Sequence, residues 1–467
     1  MASDWNEYKI DDLKAPVKGS IAMGPFGSRI KAENFVTEGI PVIKGGQLHG
    51  AYVLDSGFDF LTPEKAEELK SSQAYRGDLV ITHRGTIGQV SIIPHDSLYE
   101  KYIVSQSQLK VSFDTDKVNP YFVNYFFRSH LGQHRLLENA SQVGVPAIAK
   151  ASTSVKVIMV PCPSLEDQTR VVEHLKSLDD KIKLNLQMNE TLDAMAQEFF
   201  KSWFVDFDPV IDNALAAGNA IPDEFAERAA QRKSIERKDN LDIHSLFPDE
   251  FELTEEIGWI PKGWIISTLD DLTTELRRGI SPKYTEVDGV RVVNQRCIRN
   301  HSIDYSVCRL NDATIRKVDG RYLEVGDVLV NSTGVGTLGR MAQVFYLDEP
   351  AVVDSHVTVV RPNTELVKPY TFGRLMLSIE PLVESMGLGS TGQTELSRVH
   401  LGELVVCIPP IELQEFVEKS FLSYSDKSAF NIQQNITLAK LRDTLLPKLM
   451  SGELRIPDAA ALVDEAL

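Results

Sequence analysis

A chain of 467 residues, 43% hydrophobic and 25% charged, has the length for two or three domains and the composition of a globular protein rather than a disordered one. Its four cysteines (Cys162, Cys297, Cys308, Cys407) show no paired spacing, which argues against zinc or a disulfide framework and for a reducing cytoplasm. The polar, acidic start is no secretory signal, and no run of 18 apolar residues exists to span a membrane. The net charge of −17 speaks against nucleic acid only until it is located. Residues 1–160 carry 17 basic and 17 acidic residues, and 258–408 carry 16 and 18, whereas 205–257 alone carry 5 against 14. Both large segments are near neutral and free to present a local basic face.

In chain order, residues 1–160 alternate β-rich runs such as IPVIKGG, GDLVITHRG and YIVSQSQLKVSF with Gly/Pro turns, around one helical stretch, PYFVNYFFRSHLGQHRLLENA. This predicts a mixed α/β domain with a mostly antiparallel sheet. A long helix follows from Leu165 to Trp203, free of glycine and proline. Val171, Leu175, Leu178, Ile182, Asn185, Asn189, Leu192, Ala196, Phe199 and Trp203 keep an unbroken 4-3-4-3 spacing, the seam of a coiled coil with two asparagine layers. Segment 205–257 is polar and acidic, with a short helix expected at DEFAERAAQRKSIERK and a loop at LFPDEFE, and reads as a connector.

From residue 258 the chain replays its first half. VGDVLVNSTGVGTLGRMAQV echoes RGDLVITHRGTIGQVSII, KPYTFGRLMLS echoes NPYFVNYFFRS, and ELVVCIPPIELQ echoes VKVIMVPCPSLEDQ. A second seam runs through Val417, Phe421, Tyr424, Ser428, Asn431, Asn435, Leu438, Arg442, Leu445 and Leu449, with its asparagines 246 positions after those of the first. The predicted fold class is therefore α/β: two similar mixed α/β domains, each followed by a long helix, the two helices pairing as an antiparallel coiled coil. Asn185, Asn189, Asn431 and Asn435 should hydrogen-bond one another, because a buried amide without a partner is costly, and so fix the register; the alternative is a seam open to water there. Leu184, Leu186 and Met188 make the outer face more apolar than a two-stranded rod requires.

Chemistry-bearing motifs are weak. Gly334, Gly336 and Gly339 match a dinucleotide fingerprint, but a strand pattern follows where a phosphate-binding helix is needed, so the string reads as a hairpin turn. Asn119-Pro120-Tyr121-Phe122 is similar to the Asn-Pro-Pro-Tyr motif of amino-methyltransferases without its second proline, and an N-cap followed by proline explains it better. No phosphate loop, HExxH or GxSxG string occurs. The loops carry instead side chains suited to base edges and phosphates. In the first half these are Ser28, Arg29, Lys31, Lys44, Gln47, His83, Arg84, Gln106 and Gln142. In the second they are Arg277, Arg278, Lys283, Tyr284, Arg296, Asn331, Ser332, Thr333, Gln393 and Thr394.

The layout and several strings resemble the DNA specificity (S) subunit of type I restriction–modification systems. The strings are Phe199 to Pro209 (FFKSWFVDFDP), Leu246 to Asp249 (LFPD), Gly258 to Trp264 (GWIPKGW), Leu445 to Glu453 (LLPKLMSGE), and the turns RGTIG and GTLG. The resemblance implies target recognition domains at 1–160 and 258–408, long helices at 161–206 and 409–453, an acidic connector at 207–257 and a tail at 454–467. It implies a non-catalytic, cytoplasmic subunit that reads a bipartite, asymmetric double-stranded DNA target, the helices setting the spacer. Two methylation (M) subunits, and restriction (R) subunits where present, would dock on it and carry S-adenosylmethionine, ATP and Mg, with no cofactor or metal in this chain. The rival readings are a self-contained DNA methyltransferase or nuclease, and a two-module adaptor that binds no DNA.

Overall fold

The computed structural model describes residues 5–26, 29–141, 144–234, 241–334, 336–387 and 395–467. They form two compact units, residues 1–184 with 434–467, and residues 185–433.

In the first unit a four-stranded antiparallel sheet runs in the order Ile21–Met23, Gln108–Val111, Leu79–Thr82, Val90–Ile92. A five-stranded sheet lies in the order Phe35–Val36, Asp59–Leu61, Ile40–Ile43, Lys101–Val104, Gln73–Tyr75, with one parallel pairing, Val42 beside Ile103. The domain thus holds two main sheets where the sequence pattern pointed to one. Strand strings report alternation but not which strands share a sheet. The helix Pro120–Arg128 starts where Asn119 Oδ1 accepts from the Tyr121 amide at 3.0 Å, with proline at the first helical position. Seven of its nine residues are buried, so it is a core element.

The second unit repeats the arrangement. Thr273–Arg278, Val357–Pro362, Val328–Asn331 and Met341–Gln343 form the four-stranded antiparallel sheet in that order. Tyr284–Thr285, Arg309–Asn311, Val290–Val293 and Ala351–Val353 form the other, again with one parallel pairing, Val292 beside Val352. The glycine string closes the hairpin between Val328–Asn331 and Met341–Gln343: Gly334, Gly336 and Gly339 have φ of 102°, 73° and 86°. No helix follows to receive a phosphate. A Cβ on Gly339 would fall 2.7 Å from the Glu384 backbone, so packing and turn conformation both require glycine there.

The long helices are Leu165–Phe204 and Ile411–Met450, 40 residues each. In the first unit Asp179 meets Arg442 and Ile182 meets Asn435. In the second Asn189 meets Ser428 and Asn431, and Phe199 meets Phe421 with ring centroids 5.4 Å apart. Numbers rise on one helix as they fall on the other, so the pairing is antiparallel in both units. None of the predicted seam positions is exposed. Within each unit the seam joins the core of its domain: Val171, Leu175 and Leu178 cluster with Phe122, Leu438 and Leu445, and Ala196 with Phe372, Val417 and Phe421.

The asparagine layers include one side-chain pair and two bonds to main-chain carbonyls. Asn431 Nδ2 donates to Asn189 Oδ1 at 2.8 Å, while Asn189 Nδ2 reaches the Ser428 carbonyl at 3.3 Å and Asn435 Nδ2 the Ile182 carbonyl at 3.5 Å. Main-chain carbonyls of the partner helix thus also take part in these layers. Asn185 and Asn431 are 1% and 0% exposed, which closes the seam to water at those layers.

The connector 207–257 is folded, with part of its acidity buried. Asp208 and Asp212, at 3% and 4% exposure, begin the helix Asp208–Ala217. Asp208 takes both Nε and Nη2 of Arg228 at 2.7 Å, and Arg232 holds Asp212 in the same way. Phe207 and Trp264 pack edge-on at 5.5 Å, and Phe225 and Phe251 lie tilted at 5.0 Å. A charge count overlooks this because the arginines lie 20 residues beyond their aspartates. The expected helix over DEFAERAAQRKSIERK is present as the 3-10 turn Asp223–Phe225 and the helix Ala226–Lys233, and its last four residues, 235–238, lie outside the described residues.

Asp179, 7% exposed, accepts from Arg442 at 2.7 Å and from the Tyr125 hydroxyl at 2.7 Å. Arg442→Leu leaves that carboxylate buried without its cation, at a cost of about 3 kcal/mol. We expect a lowered melting temperature by calorimetry, partly restored in Asp179→Leu/Arg442→Leu; equal melting of single mutant and wild type would contradict it.

Candidate nucleic-acid interface

In each unit some of the predicted side chains lie where strands of the four-stranded sheet end. In the first, Leu79–Thr82 runs into His83 and Arg84. The His83 amide donates to the Ser107 carbonyl at 2.9 Å, that of Gly85 to Pro146 at 2.8 Å, and that of Ile148 to His83 at 2.9 Å. The neighbouring Gly24 amide donates to Gln108 at 2.9 Å. A Cβ on Gly24 would stand 1.9 Å from the Ser105 carbonyl oxygen, so this crossing admits only glycine.

The second unit builds the same crossing with other side chains. The Ser332 amide donates to the His356 carbonyl at 2.8 Å and that of Gly279 to Val357 at 3.1 Å. A Cβ on Gly279 would lie 2.0 Å from the Val353 carbonyl oxygen. Arg84 bridges Ala147, and Thr333 bridges Glu395. Thr333 thus occupies the place of Arg84, its hydroxyl 2.8 Å from His356 Nδ1. The backbone is shared and the presented chemistry is not.

The predicted residues divide by environment. Arg29, Arg84, Gln106, Lys283 and Arg296 are exposed, and their side chains make no ion pair or hydrogen bond among the described residues. Tyr284 is exposed too, with the Arg309 guanidinium 3.4 Å above its ring. Others are neutralised: Lys31 lies 3.5 Å from Glu33, Lys44 pairs with Asp59, Arg277 with Glu275 at 2.6 Å, and Arg278 with Glu395. Four are buried and hold the loops. Gln47 accepts from the Lys44 amide at 2.9 Å and donates to Gly57 at 3.0 Å. Asn331 donates to the Gln295 carbonyl at 3.2 Å, and the Ser332 hydroxyl lies 2.6 Å from that of Thr358. Desolvation lowers the pKa of His83, favouring the neutral ring, and its Nε2 faces the Gln106 carbonyl at 3.2 Å. Ser28, Gln142, Gln393 and Thr394 lie outside the described residues.

Arg309 was not singled out from the sequence. Its signal was the register that sets it diagonally across from Tyr284, visible only once Tyr284 pairs with Asn311. Among the described residues no group of His, Cys, Asp and Glu gathers to hold a metal, and no helix is long and apolar enough to cross a membrane.

Residues 2–194 match the family model described as type I restriction modification DNA specificity domain. That stretch of the chain is similar to the domain of this family. The chain is 24% identical to the type I restriction enzyme HindI specificity subunit of Haemophilus influenzae, over 97% of this chain and 100% of the relative. It is likewise 24% identical to the MjaIX specificity subunit of Methanocaldococcus jannaschii, over 97% of this chain and 94% of that one. Among solved structures, the type I restriction–modification S subunit from M. genitalium superposes with a TM-score of 0.50 at 14% identity, covering 96% of each chain. For a specificity subunit, two units with one backbone and different strand-end side chains are the arrangement that two different readings need.

The hairpin that carries Arg299 is tied to the first long helix by a titratable contact. His301 Nδ1 donates to Asp193 at 2.7 Å, and Nε2 lies 3.6 Å from Glu380. The Asp193 hydrogen bond raises the His301 pKa above its usual 6.5, against the opposing effect of burial. The ion pair is fully present below the unfolded pKa and is lost as pH rises through the raised folded value. The stability difference between wild type and His301→Asn should therefore shrink from about pH 6 to pH 8, read by melting temperature; a constant difference would exclude the charged contact.

Proposed function

We propose that this chain is the non-catalytic DNA-reading subunit of a type I restriction–modification complex. Each unit contacts one half of a split, asymmetric double-stranded DNA target through its strand-end loops. The observation that carries this reading is the duplicated crossing at Gly24 and Gly279, which presents His83 and Arg84 in one unit and Ser332 and Thr333 in the other. Arg29, Arg84 and Gln106 in the first unit, and Lys283, Tyr284 and Arg296 in the second, are the side chains free to meet bases and phosphates, as guanidinium, ammonium and amide groups do in the major groove. Methylation subunits, and restriction subunits where present, supply the chemistry with S-adenosylmethionine, ATP and Mg. Leu186 and Met195, 54% and 52% exposed on the first long helix, form part of the surface offered to them.

Replacing the loops of residues 1–160 by those of another specificity subunit, in complex with methylation subunits, should change one half of the methylated sequence and leave the other intact. A change in both halves, or methylation by the purified chain alone, would overturn the proposal. Within it, Arg84→Ala should weaken target binding by about 1–3 kcal/mol in a gel-shift titration with the melting temperature unchanged. Unaltered affinity would remove Arg84 from the interface.

A further inference from the structure

Two thiols of the second unit face one another at the neck of a loop. Cys297 Sγ and Cys308 Sγ are 3.5 Å apart and both cysteines are free. Cys297 is fully buried and Cys308 half-buried. Cys297 Sγ also accepts from the Asn294 amide at 3.5 Å, and Cys308 Sγ points to the Asp304 carbonyl at 3.8 Å. Hydrogen bonding from Cys308 lowers the Cys297 pKa, while that same contact raises that of Cys308. The thiolate is therefore favoured on Cys297 over Cys308. Cys162 and Cys407 are different: each is alone, and burial pushes each thiol up to about 12.

The backbone around the pair is held on both sides. Cys297 follows Val290–Val293, Cys308 precedes Arg309–Asn311, and those strands pair, Val292 against Arg309. The Asp304 amide donates to the Cys297 carbonyl at 2.8 Å. Between the two cysteines lies the hairpin Ile298–Arg299 with Ser302–Ile303, whose turn holds Asn300 and His301 at φ of 48° and 55°. A disulfide bond of about 2.05 Å requires the two sulfurs to close from their 3.5 Å contact. The structural alternative is that both thiols are merely small apolar groups filling the core beside Val293 and Ile298. A thiol–thiol contact reaching a half-buried sulfur favours chemistry over filling, because an oxidant has a route to Cys308.

We propose that Cys297 and Cys308 are a peroxide-oxidisable pair that closes a disulfide across the neck of this loop. The Cys297 thiolate attacks a peroxide oxygen that enters past half-buried Cys308, the O–O bond breaks, and Cys297 sulfenic acid and one water result, the water taking up the thiol proton. The Cys308 sulfur then attacks the Cys297 sulfur, the S–O bond breaks, and the departing hydroxide leaves as water with the Cys308 thiol proton. Two thiols and one peroxide become one disulfide and two waters, the protein losing two electrons. The closed bond staples the base of the hairpin that carries Arg299, next to Arg296.

The test treats the full chain with hydrogen peroxide, then counts free thiols and maps tryptic peptides without reduction. We expect the thiol count to fall from four to two, recovering with dithiothreitol, and a linked pair of peptides, residues 297–299 joined to 300–309. Cys308→Ser and Cys297→Ser, each checked for native circular dichroism, should yield no such pair. The wild-type pair should react at least about tenfold faster than Cys162 or Cys407. A count that stays at four, a linkage through Cys162 or Cys407, or disulfides only between chains would overturn the proposal.

Discussion

Two carboxylates of the first long helix, Asp179 and Asp193, stand fourteen residues apart, each immediately after a seam residue. Asp179 is buried and Asp193 half-buried, and each is held by groups from other elements of its unit. Asp179 receives Tyr125 from the domain helix and Arg442 from the opposite long helix. Asp193 receives Arg374 and His301. Burial would raise the Asp193 pKa, but its two donors hold it below the usual carboxylate range. An unpaired carboxylate in such a place is costly, so domain and helices must meet in one way or lose the pairing. Apolar seam residues give the association its strength, and these two charges give it a unique geometry.

Much of the frame was legible before any coordinates. The seven-residue period located both helices, and the repeat of strings paired strand with strand. Asn119-Pro120 marked a helix start that the structure reproduces. Period and repetition are properties of neighbouring residues, which is why they survive in one dimension. Asp179 and Asp193 were not legible, because a charge beside a seam looks like an ordinary flanking position until Tyr125 or Arg374 arrives from far along the chain. The same reason hid the folded character of segment 207–257, whose acidity is spent on Arg228 and Arg232.

The candidate interface was readable as a region and not as a set of side chains. Residue type alone cannot separate Arg84, which is free, from Arg278, which is bound to Glu395. Nor can it separate Gln106, exposed in its loop, from Gln47, whose amide is consumed by the backbone it shapes. The difference lies in loop geometry, and loop geometry is where the two halves of this sequence diverge most.

One small contact has a wider consequence. The Gln168 amide, in the first turn of the first long helix, accepts from the Asn119 amide at 2.9 Å and donates to the Pro163 carbonyl at 3.0 Å. Gln414 does the same for Lys368 and Pro409 at 2.9 Å and 2.8 Å. Each clip fastens the start of a domain helix to the start of a long helix through main-chain groups, which every sequence possesses. The strand-end loops take no part in it. Natural variation can therefore rewrite those loops freely while the anchorage passes unchanged from one variant to the next, a separation of message from mounting that makes a reader of this kind easy to diversify.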